Sequence, residues 1–141
     1  MASSFTKVDK FVLNLGKGVF NLATNQLKVA LTNTLPTAST VNQYSDLTSP
    51  LATTNLSGAT PFNVTTTSFT QTSGTATLIC ADLVLTATGA VGPFQYVVLY
   101  SDTATNKEII GFFDYGSPIS LANTNTFTID FSQASGVLTN S

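Results

Sequence analysis

The densest run of oxygen-bearing side chains in the 141-residue sequence is Asp102-Thr103-Ala104-Thr105-Asn106-Lys107-Glu108. Calcium binds carboxylate and carbonyl oxygens gathered on a single loop. Here the carboxylates do not alternate as in an EF-hand, no glycine supplies the bend, and Lys107 opposes a cation. The run therefore reads as a hairpin turn, and no metal site is expected. Acid–base catalysis needs two carboxyl groups held across a reacting bond. Asp82, Asp102 and Asp114 are candidates, but nothing in their spacing selects a pair. Gly16-Lys17-Gly18 lacks the rest of a phosphate-binding loop and reads as a helix stop. Asp114-Tyr115-Gly116 shares only its outline with the kinase Asp-Phe-Gly, and no other kinase motif accompanies it, so a strand-end turn is expected. Cys80, the sole cysteine, lies in Leu78-Ile79-Cys80-Ala81 without a basic neighbour. It is expected to be a small buried side chain rather than a reactive thiol.

The inventory excludes more than the spacing does. The sequence has no His, so Ser-His-Asp and Cys-His nucleophiles, two-His metal sites and imidazole pH switches are ruled out. A noncatalytic protein without cofactor is expected. Charged residues make up 9%, against about 25% in ordinary soluble domains. Polarity comes instead from 25 Thr, 14 Ser and 11 Asn, types that favour strands and turns. A net charge of −2 and a pI of about 4.5, with no basic stripe, argue against a nucleic-acid partner. Four of the five lysines, Lys7, Lys10, Lys17 and Lys28, fall at the start, which is therefore the basic end of an otherwise acidic chain. The N-terminus has no basic-then-apolar stretch, so no secretory signal is expected. The longest apolar stretch, 83–101, is broken by Gly89, Gly92 and Pro93, and no membrane span is expected. With one cysteine, no disulfide can staple the fold.

These residues must be positioned by strands. Phe5, Val8, Phe11, Val12 and Leu15 fall at steps of three and four, which predicts a helix with Ser3 or Ser4 as cap and Gly16 and Gly18 as its end. Segments 19–22 and 27–31 read as a hairpin across Thr24-Asn25-Gln26. From 32 to 58 the sequence is rich in Thr, Ser, Asn and Pro, predicting a long loop, and loops of that length are commonly functional. Segments 62–69 and 75–86 read as strands across Gln71-Thr72-Ser73-Gly74, and 94–100 and 108–115 as strands across a polar turn. In 126–131, Phe127, Ile129 and Phe131 alternate with Thr126, Thr128 and Asp130, as in a strand with one wet face. The expectation is one all-β domain over 1–141, an antiparallel sandwich or barrel, with an N-terminal arm or helix at 1–18.

A hydroxyl-rich, low-charge surface is inexpensive to cover, because Thr loses little solvation and little rotamer entropy. This favours assembly. The four tyrosines, Tyr44, Tyr96, Tyr100 and Tyr115, allow a second reading as a glycan-binding module, although Tyr96, Val98 and Tyr100 at even spacing suggest one packed face.

GPFQYVVLYSDTATNKEIIGFFDYGSPISL from Gly92, TFTIDFSQASGVLTN from Thr126 and LKVALTNTLPTAST from Leu27 resemble a family of small tailed-bacteriophage virion proteins, especially capsid decoration or cement proteins. Two positions depart from the family. Gln95 stands where related chains often carry Arg in Gly-Pro-Phe-Arg-Tyr, and 51–60, with Gly58 alone, replaces a Gly-Tyr-rich loop. The resemblance implies a noncatalytic homo-oligomer, trimer or dimer, on the outer surface of the phage head. It would bridge subunits of the major capsid protein and stabilise the shell. A place in the tail, neck or head fibre is the alternative. Docking is expected through Lys7, Lys10, Phe11 and Lys17 of the arm and through Tyr44, Asp46, Leu51 and Asn55 of the long loop.

Overall fold

A computed structural model describes residues 5–131 and 138–140. In chain order they form β1 (Phe5–Lys7), α1 (Phe11–Gly16), β2 (Leu27–Thr32), a 3-10 turn (Tyr44–Asp46), β3 (Asn63–Val64) and β4 (Thr66–Thr72). There follow β5 (Thr75–Cys80), β6 (Leu83–Thr86), β7 (Val91–Ser101), β8 (Ile109–Leu121), β9 (Thr126–Ile129) and β10 (Leu138–Asn140). The chain is an all-β fold of antiparallel sheets with one short helix near its N-terminus.

The largest sheet has the order β1-β8-β7-β2-β3. Its centre is set by sequence. Phe94, Tyr96 and every residue through Ser101 are buried, as are Ile109 to Phe113, so both faces of these β7 and β8 segments are covered. Strands buried on both faces read as continuous apolar runs, as these do. β10-β5-β4 forms a second sheet and β6-β9 a third. Leu78 and Cys80 of β5, Leu85 of β6 and Ile129 of β9 join the main sheet in one hydrophobic cluster that also holds Phe11, Phe94 and Phe131.

The amino end differs from the sequence expectation. Ser3 and Ser4, the expected caps, lie outside the described residues. Phe5, Thr6 and Lys7 form no helix but pair as β1 with Phe113, Phe112 and Gly111 on the edge of β8. Only Phe11–Gly16 is helical, ended as expected by Gly16 and by Gly18 at φ +77°. Val12 is exposed rather than part of a buried stripe. The unsatisfied edge of β8 offers three residues a ladder that an isolated turn of helix cannot match, so tertiary pairing overrides local periodicity. The expected hairpin is also absent. Segment 19–22 forms no strand, and β2 takes β7 and β3 as neighbours instead.

The other expectations agree with the structure more closely, except that 75–86 is not one strand: it breaks after Cys80 into β5 and β6, which join different sheets. Ser73 (φ +52°) and Gly74 (φ +83°) make the two-residue turn between β4 and β5. Two consecutive left-handed residues match the twist of a tight hairpin. Phe127, Ile129 and Phe131 point inward to varying depth, while Thr126 and Thr128 are exposed. Residues 33–58 run without a strand and include only the 3-10 turn.

Candidate functional site

The eight docking residues expected from sequence divide between two surfaces, one on the arm and one on the long loop. On the arm, Val8 is buried and its N–H donates to the Ile110 carbonyl at 3.1 Å, so the strand contact of β1 continues into the entry of α1. Phe11 is fully buried, its ring centroid 5.4 Å from that of Phe20. It therefore cannot meet a partner directly and acts as the anchor of the segment; burying such a ring stabilises by about 2–3 kcal/mol. Asn14 anchors the opposite side, donating from Nδ2 to Asn42 Oδ1 at 2.9 Å.

With Phe11 and Asn14 facing inward, the next residues of the same turn face out. Val12 and Leu13 are 55% and 56% exposed, between the exposed Lys10 and Lys17 that flank the helix. Lys7, in β1, is half-buried. Sequence reasoning missed Leu13 altogether and placed Val12 inside, because it extended one helical phase through residues that are in fact a strand.

Charge sharpens this surface. Asp102 takes two of the five lysines: Lys28 Nζ lies 3.5 Å from its Oδ2, and Lys107 donates to its Oδ1. These contacts, the Lys107 hydrogen bond foremost, hold the Asp102 carboxyl below the usual carboxylate range. Lys7, Lys10 and Lys17 make no ion pair among the described residues, so the uncompensated cations all lie on the arm. The 102–108 run is accordingly a turn with Lys107 bound inside it. Glu108, which is buried, accepts the Asn106 N–H at 2.9 Å. Among the described residues, no three His, Cys, Asp or Glu side chains gather as a metal site.

The long loop is laced to the body by its own polar groups. Thr32 Oγ1 donates to the Thr48 carbonyl at 2.7 Å, and the Leu51 N–H to the Leu31 carbonyl at 2.8 Å. Asp46 is exposed, but its Oδ2 already accepts the N–H groups of Asn42 (2.9 Å) and Gln43 (3.1 Å), closing the 3-10 turn as a capping box. Asn55 is likewise a tie, donating from Nδ2 to the Ala90 carbonyl at 2.8 Å while its own carbonyl accepts the Thr88 N–H. Asp46 and Asn55 shape the loop.

Tyr44 and Leu51 do converge. Together with Lys28, Phe62, Asn63 and Tyr100 they line an open groove of about 360 Å³. The rings of Tyr44 and Tyr100 tilt against each other with centroids 5.0 Å apart. Burial foremost, then the neighbouring Tyr44 and Asp102, pushes the Tyr100 hydroxyl up to about 12. Asn63 Oδ1 is buried in the groove wall without a hydrogen-bond partner. Tyr96 and Tyr115 go elsewhere: Tyr96 packs edge-on against Phe112, and Tyr115 against Phe127.

Gln95, the departure from the resembled family, donates from Nε2 to Asp114 Oδ1 at 3.0 Å, and the Gly116 N–H reaches the same oxygen at 2.8 Å. The Gln95 bond first, and then the backbone bond, lower the Asp114 pKa without a cation. Cys80 is fully buried, and burial pushes its thiol up to about 11, as expected of an inert packing residue. Among the described residues, no helix is long and apolar enough to cross a membrane. No family model matches the chain, and no curated protein or solved structure gives a significant match.

Proposed function

We propose that this chain is a noncatalytic decoration protein of a tailed-phage head, sitting on the outer surface and bridging subunits of the major capsid protein. The observation that carries the reading is the arm: an exposed Val12-Leu13 pair between Lys10 and Lys17, with Lys7 nearby, in a chain whose two lysines outside the arm, Lys28 and Lys107, are taken by Asp102. The pair offers apolar area and the cations offer orientation toward an acidic partner surface. The resemblance over Leu27–Thr40, Gly92–Leu121 and Thr126–Asn140 supports reading that surface as the phage head.

The test is cosedimentation of the purified chain with expanded heads of the cognate phage stripped of it. Binding to heads and not to free capsid subunits is expected, with a V12D/L13D variant losing at least tenfold in affinity while keeping its fold. Wild-type protein that ignores heads, or that labels only the tail or neck, overturns the assignment.

A second reading rests on the groove. Two tyrosine rings beside a lysine are what a saccharide ring face and hydroxyl would meet. It predicts saturable sugar binding on a glycan array that Tyr44→Ala abolishes, and an array without signal removes it.

A further inference from the structure

β4 is an edge strand. β5 pairs along one side of it and, among the described residues, no strand pairs along the other. Natural sheets protect such edges with charged residues, especially Lys, with Pro, or with bulges. Thr66-Thr67-Ser68-Phe69-Thr70-Gln71-Thr72 has no charge and no Pro, and its one irregularity, between Thr66 and Ser68, lies at the far end from the turn.

The direction of the free backbone groups follows from the hairpin. Thr72 and Thr75 flank the two-residue Ser73-Gly74 turn and so exchange hydrogen bonds, as does the pair Thr70 and Thr77 two residues on. Phe69 and Gln71 therefore turn their N–H and C=O groups away from β5, toward the open edge. The sequence reads nearly the same in both directions about Phe69. Laid antiparallel against itself with Phe69 opposite Phe69, the strand sets Ser68 against Thr70, Thr67 against Gln71 and Thr66 against Thr72. Every facing pair is uncharged. The central pair in this register is the residue whose backbone groups point outward, so the two Phe69 residues exchange N–H to C=O bonds across a two-fold axis.

We propose that β4 is a homodimer interface. Two copies pair β4 to β4, antiparallel, in the Phe69–Phe69 register, and join two three-stranded sheets into one of six. A second copy is the occupant because the edge is complementary to itself, as a two-fold contact demands. The flanking pairs are hydroxyl to hydroxyl or hydroxyl to amide, which favour cross-strand association. Phe69 is half-buried within its own subunit and its counterpart extends that apolar contact. The proposal stands without the capsid reading, since the pairing forms in solution.

Sedimentation of the full chain tests it. Wild type is expected at twice 14.8 kDa. Thr67 and Gln71 are exposed and face each other across the two-fold axis, so charges there report the register. T67K/Q71K sets like charges opposite each other twice and is expected to be monomeric, with circular dichroism unchanged. T67K/Q71E sets opposite charges there and is expected to remain dimeric. A monomeric wild type overturns the proposal, as does a dimer indifferent to T67K/Q71K or a T67K/Q71E variant that dissociates.

Discussion

The side chains whose pKa values are raised in this protein are those that pack, and they set a direction for its response to alkaline pH. Burial foremost pushes Cys80 up to about 11, and Tyr100 and Tyr115 up to about 12. Unfolded, the same groups ionise near 8.5 and 10. Each folded value is raised, so the unfolded chain releases these protons first, and stability is whole below about pH 8.5 and drains away as pH rises toward 12. Two raised tyrosines of about two units each account for roughly 2–3 kcal/mol apiece at most. Urea midpoints should therefore hold level between pH 6 and 8 and fall steeply above about pH 9.5. A Tyr115→Phe variant, which also removes a buried hydroxyl without a partner, should flatten that fall; an unchanged slope would show that Tyr115 is hydrated. Asp102 acts at the other extreme. Its lowered pKa means that its ion pairs stabilise above about pH 4 and are lost below it. With Lys107 half exposed they are worth at most about 1 kcal/mol. Cys80 was legible from its neighbours alone. Phe11 was only partly legible: its spacing put it on an apolar stripe, but the resemblance also made it a docking residue, and the direction in which it points depends on β8.

Element by element, what the sequence revealed depends on whether partners are local. The β4–β5 hairpin was legible because its turn residues and both strands lie within 15 residues. The wet and dry faces of β9 were legible because period-2 alternation marks a one-sided strand. The amino end was misread because Phe5, Val8, Phe11 and Leu15 satisfy a helical period by coincidence, while the feature that decides their conformation, the bare edge of β8, lies a hundred residues away. Gly111 records that decision. A Cβ on Gly111 would collide with the Thr6 carbonyl and lie 2.7 Å from Phe5 Cζ, so the arm can lie across β8 only because this position has no side chain. Gly111→Val should strip β1 from the sheet at a cost of about 1–3 kcal/mol. It should expose 5–10 to limited proteolysis and raise hydrogen exchange at Thr6 and Val8, with β2 and β7 still protected. A variant with the arm as protected as wild type would mean that Phe5 and Thr6 can shift aside. Since Val12 and Leu13 are aimed outward by the same segment, Gly111→Val should also weaken head binding, although Gly111 itself is buried.

At the scale of the whole molecule, the two proposed contacts use opposite chemistry, and this separates them by experiment. The arm carries Lys7, Lys10 and Lys17 without ion pairs among the described residues, whereas β4 has no charge at all. Screening at 0.15 M salt already limits exposed charges to about 8 Å, and at 1 M to about 3 Å. Head binding through the arm should therefore weaken severalfold from 50 to 500 mM salt, while the dimer should keep its dissociation constant over the same range. If the chain decorates heads as proposed, dimerisation would matter to the shell because a two-fold protein brings two arms to the lattice. Once the first arm is bound, the second binds at an effective concentration set by the spacing between the arms, giving avidity of 10²-fold or more where the geometry fits. A ligand that binds only the intact head stabilises it by about 2.7 kcal/mol per site when present at a hundred times its dissociation constant. Decorated heads should then survive heating that empties bare ones. The monomeric T67K/Q71K protein should bind with the salt dependence of a single arm and protect only at far higher concentration. Equal protection by monomer and dimer would show that each subunit bridges capsid subunits by itself, and β4 would then have no part in holding the shell.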